Sequence, residues 1–122
     1  MKDVEIIPSI NVENFDQVKS RIRVAEPYAR WVHIDVADGS FTKTVSWHAA
    51  SDLAQIQTPL LIEVHFMVKT PEEKIRPWLV SPVRRMIVHE EATDTLDSLI
   101  ALCHESHIEA AVAIVPETPW DA

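Results

Sequence analysis

Trp31-Val32-His33-Ile34-Asp35-Val36-Ala37-Asp38-Gly39 is the stretch that decides the fold. Side chains alternate along a strand, so Val32, Ile34 and Val36 take one face and His33 and Asp35 the other. The strand rise sets His33 and Asp35 about 7 Å apart along the chain. Gly39 is the only glycine in the protein, and Asp38 just before it reads as turn chemistry. Leu61 to Val68 repeats the pattern, with Glu63, His65 and Met67 on one face.

Working outward, strands and helices alternate. Glu5 to Ile10 reads as a short strand with Pro8 near its end. Asn14 is an N-cap with Gln17 three residues on, and Phe15, Val18, Ile22 and Ala25 fall at helical spacing. Pro27 closes that helix. Beyond the polar loop Ser40 to Ser46, a second helix is predicted from about Trp47 to Ile56, with Ala50, Leu53 and Ile56 facing in. Thr70-Pro71-Glu72-Glu73 predicts a capped helix start with a capping box, cut short by Pro77. Arg85 to Glu90 reads as a fourth strand and Glu109 to Val115 as a fifth. Between them Leu96, Leu99, Ile100 and Cys103 make one helical stripe. Strand centres recur roughly every 25–30 residues, the repeat of a (β/α)8 barrel with parallel strands. Ser9, His33, Asp35, His65, His89 and Glu91 gather at the C-terminal ends of strands, the edge that carries chemistry in such a barrel.

Composition narrows the function. The chain has 122 residues and is 47% hydrophobic, enough for one globular domain over 1–122. A formal charge of −8 argues against nucleic acid or an anionic membrane as partner, though not against a small phosphorylated substrate. The lone Cys103 forms no internal disulfide, and no apolar run approaches 20 residues, so the chain reads as soluble and cytoplasmic.

His33, Asp35 and His65 could hold one divalent cation, such as zinc, iron, manganese or cobalt, with positions open for substrate. The alternative reading is that His33 and His65 are hydrogen-bonded core histidines and Asp35 a loop-facing acid, as single histidines on strands usually are. Glu63 defaults to a structural ion pair and Met67 to packing. His89, Glu90 and Glu91 are either a substrate-facing cluster or a solvated loop. His104 and His107 suit the end of a helix and carry no assigned function. Trp31, Trp47 and Trp78 read as packing; Trp120 packs or dangles.

Five blocks together resemble the ribulose-phosphate 3-epimerases. They are Pro8-Ser9-Ile10, His33 to Phe41, Glu63 to Val68 with Pro71, His89-Glu90-Glu91-Ala92 and Pro116-Glu117-Thr118-Pro119. The resemblance implies a (β/α)8 barrel that interconverts D-ribulose 5-phosphate and D-xylulose 5-phosphate in the pentose phosphate pathway. It implies His33, Asp35 and His65 as ligands of a divalent metal, with Asp35 also one of two acid/base aspartates. It places Ser9, His65 and Met67 at the substrate. Ala37 stands where the family usually has another methionine. The family's fourth metal ligand, which is its second acid/base aspartate, and its phosphate-binding loops belong to later strands.

The chain reads as a barrel truncated after the fifth strand, which leaves edges on the first and fifth strands. Closure then requires a homo-oligomer, a complementing chain or a longer gene product. The competing functions are a non-catalytic half-barrel that binds metal or a partner, an epimerase of another ketose phosphate, and a fragment with no function by itself.

Overall fold

The alternation of apolar and polar residues does lay down strands. A computed structural model describes residues 3–121; Met1, Lys2 and Ala122, the ends of the span expected as one domain, lie outside the described residues. The strands are β1 (Ser9–Ile10), β2 (Trp31–Ala37), β3 (Leu61–Met67), β4 (Val83–His89) and β5 (Glu109–Ala113). They form one sheet in the order β1-β2-β3-β4-β5, every pair parallel. Consecutive parallel neighbours with intervening helices are the α/β architecture of a partial (β/α)8 barrel.

Helix α1 (Phe15–Ala25) starts as its sequence dictates. The Gln17 amide N–H donates to Asn14 Oδ1 at 2.9 Å, and Gln17 Oε1 accepts from the Asn14 N–H at 3.3 Å. Val18, Ile22 and Ala25 are buried against the sheet, and α2 (Leu96–Glu105) buries Leu99 and Cys103 in the same way. Ile100, expected in the buried stripe, is only half-buried. The core lies between these helices and the sheet face formed by Val32, Ile34, Val36, Ile62, Val64, Phe66, Met86 and Val88. Trp78 meets Trp47 and Phe66 edge-on, with ring centroids 5.3 and 5.7 Å away.

Two predicted helices are not α-helical. The second is a 3-10 segment over Ala50–Gln55, and Trp47 precedes it, anchored by its indole N–H to Asp52 at 2.9 Å. Ala49 at the N-cap offers no side-chain acceptor, and a six-residue segment is too short to offset the cost of nucleation. The third becomes two 3-10 turns, Pro71–Glu73 and Arg76–Trp78. The expected capping box fails because Thr70 adopts a left-handed conformation (φ 48°) and its hydroxyl donates to the Lys69 carbonyl. Pro77, with no N–H to donate, prevents the two turns from merging into one α-helix. The first strand, expected from Glu5, pairs only at Ser9–Ile10. The fourth gives Glu90 to a 3-10 turn, and the fifth ends at Ala113 rather than Val115.

The polar face is built in rows. Ser9, His33, Glu63, Arg85 and Glu109 are successive partners across all five strands. In the next row Asp35 lies opposite His65, and beyond it Ala37 lies opposite Met67. One irregularity sets the first row. Ile62 pairs with Val83 but Glu63 pairs with Arg85, so Arg84 is an extra residue on β4. The bulge brings Arg85, rather than Arg84, opposite Glu63.

Candidate metal centre

A strand places residues i and i+2 on one face, so β2 presents His33 and Asp35 together and β3 sets His65 directly opposite Asp35. His33 Nε2 lies 2.9 Å from Asp35 Oδ1, and His65 Nδ1 lies 3.0 Å from the same oxygen. One ligand atom from each of the three residues fits within a 4.8 Å span. The three side chains expected to converge do converge, each about four-fifths shielded from solvent.

The partners of the remaining nitrogens constrain the protons. His33 Nδ1 lies 2.7 Å from Glu63 Oε2, so His33 has a carboxylate on each side. A neutral imidazole donates once only. With its proton given to Glu63, the Nε2 lone pair faces the Asp35 oxygen, and two acceptors so close need either a second proton or a metal cation between them. A divalent metal meets that need. His65 could then ligate through Nδ1 and donate from Nε2 to His89 Nε2 at 2.7 Å. His89 Nδ1–H in turn faces Glu91 Oε1 at 3.3 Å. Every ring nitrogen then has a partner with all three imidazoles neutral, and two imidazoles with one carboxylate suit a borderline divalent ion. The residues present fit the metal that the sequence resemblance implies.

The surroundings are equally specific. Glu63 is buried, and Arg85 Nη1 donates to its Oε1 at 2.6 Å. Burial alone would raise the Glu63 carboxyl, but the hydrogen bonds from His33 and Arg85 outweigh it and hold it below its ordinary range. Burial pushes the His65 imidazole down, against the opposing pull of Asp35. Among the described residues Asp35 Oδ2 receives only a long contact from the Asn11 amide, 3.3 Å.

Ser9 is exposed in register with His33, and Met67 is half-buried two residues beyond His65 on the same face. His89 is buried against His65 and beneath the Phe41 ring, whose centroid is 4.8 Å away, so the solvated-loop reading does not hold for it. Glu91 also accepts from the Val115 N–H at 3.1 Å. Glu63 is more than the expected ion pair, since it also holds His33. Asn11 lies outside the set that sequence reasoning reaches; its place two residues beyond Ser9 is the signal that could have found it. Trp120 is exposed.

The sequence model of the ribulose-phosphate 3 epimerase family matches residues 5–122. Several proteins named ribulose-phosphate 3-epimerase are similar to the chain. That of Chlamydia trachomatis serovar D is 33% identical over 96 residues, 78% of this chain and 41% of the relative. That of Candida glabrata is 30% identical and that of Bacillus subtilis 29%, each covering 95% of this chain and 54% of the relative. The chain thus spans about half the length of the curated relatives it matches.

Proposed function

The chain belongs to the ribulose-phosphate 3 epimerase family, and on that premise we propose that it carries the metal-side part of an epimerase active site. The reaction is the interconversion of D-ribulose 5-phosphate and D-xylulose 5-phosphate by proton transfer at C3. The observation that supports this reading is the His33–Asp35–His65 cluster.

His33, Asp35 and His65 would hold one divalent cation. When bound, it supplies positive charge that stabilises the negative charge developing on the substrate's carbonyl oxygen. Asp35 divides its two oxygens between tasks. Oδ1 is held between two imidazoles, whereas Oδ2 has only the long Asn11 contact and is the oxygen free to exchange a proton with C3. Ser9 and Met67, on the same face, line the substrate's approach. Inversion needs an acid/base group on each face of the carbon. Asp35 serves one face, and we assign the other to polypeptide that closes the open edges of β1 and β5, from a longer gene product, a second copy or a complementing chain.

The test is exchange of the C3 proton of D-ribulose 5-phosphate with deuterated solvent, measured with Zn, Fe, Mn or Co present. Asp35→Asn is expected to slow exchange by about 10²–10⁴-fold. Metal uptake with no exchange, even when the missing strands are supplied, would instead favour the non-catalytic half-barrel.

A further inference from the structure

Glu63 shares a residue row with His33, one row below Asp35 and His65, and of the three proposed ligands it touches only His33. Its two oxygens go to different partners: Oε2 to His33 Nδ1 at 2.7 Å, Oε1 to Arg85 Nη1 at 2.6 Å. A carboxylate present only to neutralise an arginine would take the guanidinium fork with both oxygens. Here Arg85 turns Nε and Nη2 to Glu109 instead, both at 2.8 Å. The guanidinium also lies over the Trp31 ring, 4.1 Å from its centroid, which fixes its plane. Four neighbouring strands thus hold one oxygen against one imidazole nitrogen.

We infer that Glu63, clamped by Arg85, is a positioning residue that fixes His33 with its proton on Nδ1 and its Nε2 lone pair turned toward Asp35 and His65. The inference rests on the metal-centre reading above. Its physical content is a choice between tautomers. Asp35 alone would accept the proton from Nε2 and so consume the lone pair a metal needs. Glu63 offers the competing acceptor on the opposite nitrogen, at the shorter distance of the two. An anionic acceptor there also raises the basicity of Nε2.

The experiment uses the full chain and its variants Glu63→Leu and Glu63→Gln, with circular dichroism as the folding control. Zinc affinity is measured by titration. The His33 tautomer is read from imidazole nitrogen shifts in metal-free protein, at a pH where the ring is neutral. In the unsubstituted protein the proton is expected on Nδ1. In Glu63→Leu it is expected to move to Nε2, facing Asp35, with zinc bound roughly 10–100-fold more weakly. Glu63→Gln, whose amide oxygen can accept the same hydrogen bond, is expected to keep the Nδ1 proton and lose less affinity. A folded Glu63→Leu with unchanged zinc affinity would overturn the inference, as would a neutral His33 that carries its proton on Nε2 in the unsubstituted protein. If Glu63→Leu does not fold, that second measurement decides. Absence of zinc uptake by the unsubstituted protein defeats the metal-centre reading itself, whereas uptake unaffected by Glu63→Leu defeats only the brace.

Discussion

Asp35 Oδ1 receives two imidazoles at once, so loss of either ring breaks the cluster. His33→Ala and His65→Ala are each expected to weaken zinc binding beyond the roughly 10–100-fold typical of an outer partner, measured by competition with a chelator. Asp38 shows a different balance. Burial would raise its carboxyl, but the Ser40 hydroxyl and N–H and the Lys74 ammonium outweigh burial and hold it at about 2. That lies below the ~3.9 of an unfolded aspartate, so its stabilisation is complete above about pH 4 and is lost as pH falls toward 2. Melting temperatures across that window should fall less steeply in Asp38→Asn. Gly39, at φ +85°, has Val45 Cγ2 3.2 Å from where a Cβ would stand. Gly39→Ala is expected to cost about 1–2 kcal/mol in urea unfolding. Period two made it legible that His33 and Asp35 share one face of β2 and that Glu63 and His65 share one face of β3, whereas the meeting of His65 with Asp35 was set by register. The roles of Glu63 and His89 were not legible, because their partners lie across strands and depend on register that no single strand records.

Among the elements, α1 was legible to its first residue because Asn14 and Gln17 satisfy the helix's free N–H groups reciprocally. Asn14→Ala is expected to cost about 1 kcal/mol, read from the urea midpoint at unchanged slope. Thr70 carried the same kind of signal and misled. A threonine before proline suggests a cap, but the cap needs extended backbone, and the turn after β3 puts Thr70 in the left-handed region. The strands were legible as elements because apolar alternation is a long signal, whereas their ends were set by pairing. β1 shrinks to two residues because only Ser9 and Ile10 find partners on β2. The 3-10 segments were hidden because Leu53 and Trp78 are buried whether or not an α-helix carries them.

At the scale of the molecule, β1 and β5 are the sheet's two edges, and neither pairs with the other among the described residues. Val112 lies opposite buried Val88, on the core-facing side, yet is 46% exposed. An uncovered parallel edge beside exposed apolar side chains is a template for further strands. The 122-residue polypeptide by itself is expected to self-associate with rising concentration in sedimentation, and Val112→Lys to reduce that association without lowering the melting temperature. The β4 bulge governs the molecule in another way: it makes β4 uneven in its tolerance of lost codons. Deleting Arg84 removes the surplus residue and leaves Val83 opposite Ile62 and Arg85 opposite Glu63, as they are now. Deleting Ile87 has no neutral outcome. Either the bulge survives and His89 swings to the wrong side, or it dissolves and Arg85 is driven among the apolar side chains. In-frame loss of three bases at 84 should therefore yield a protein that still folds, and the same loss at 87 one that does not.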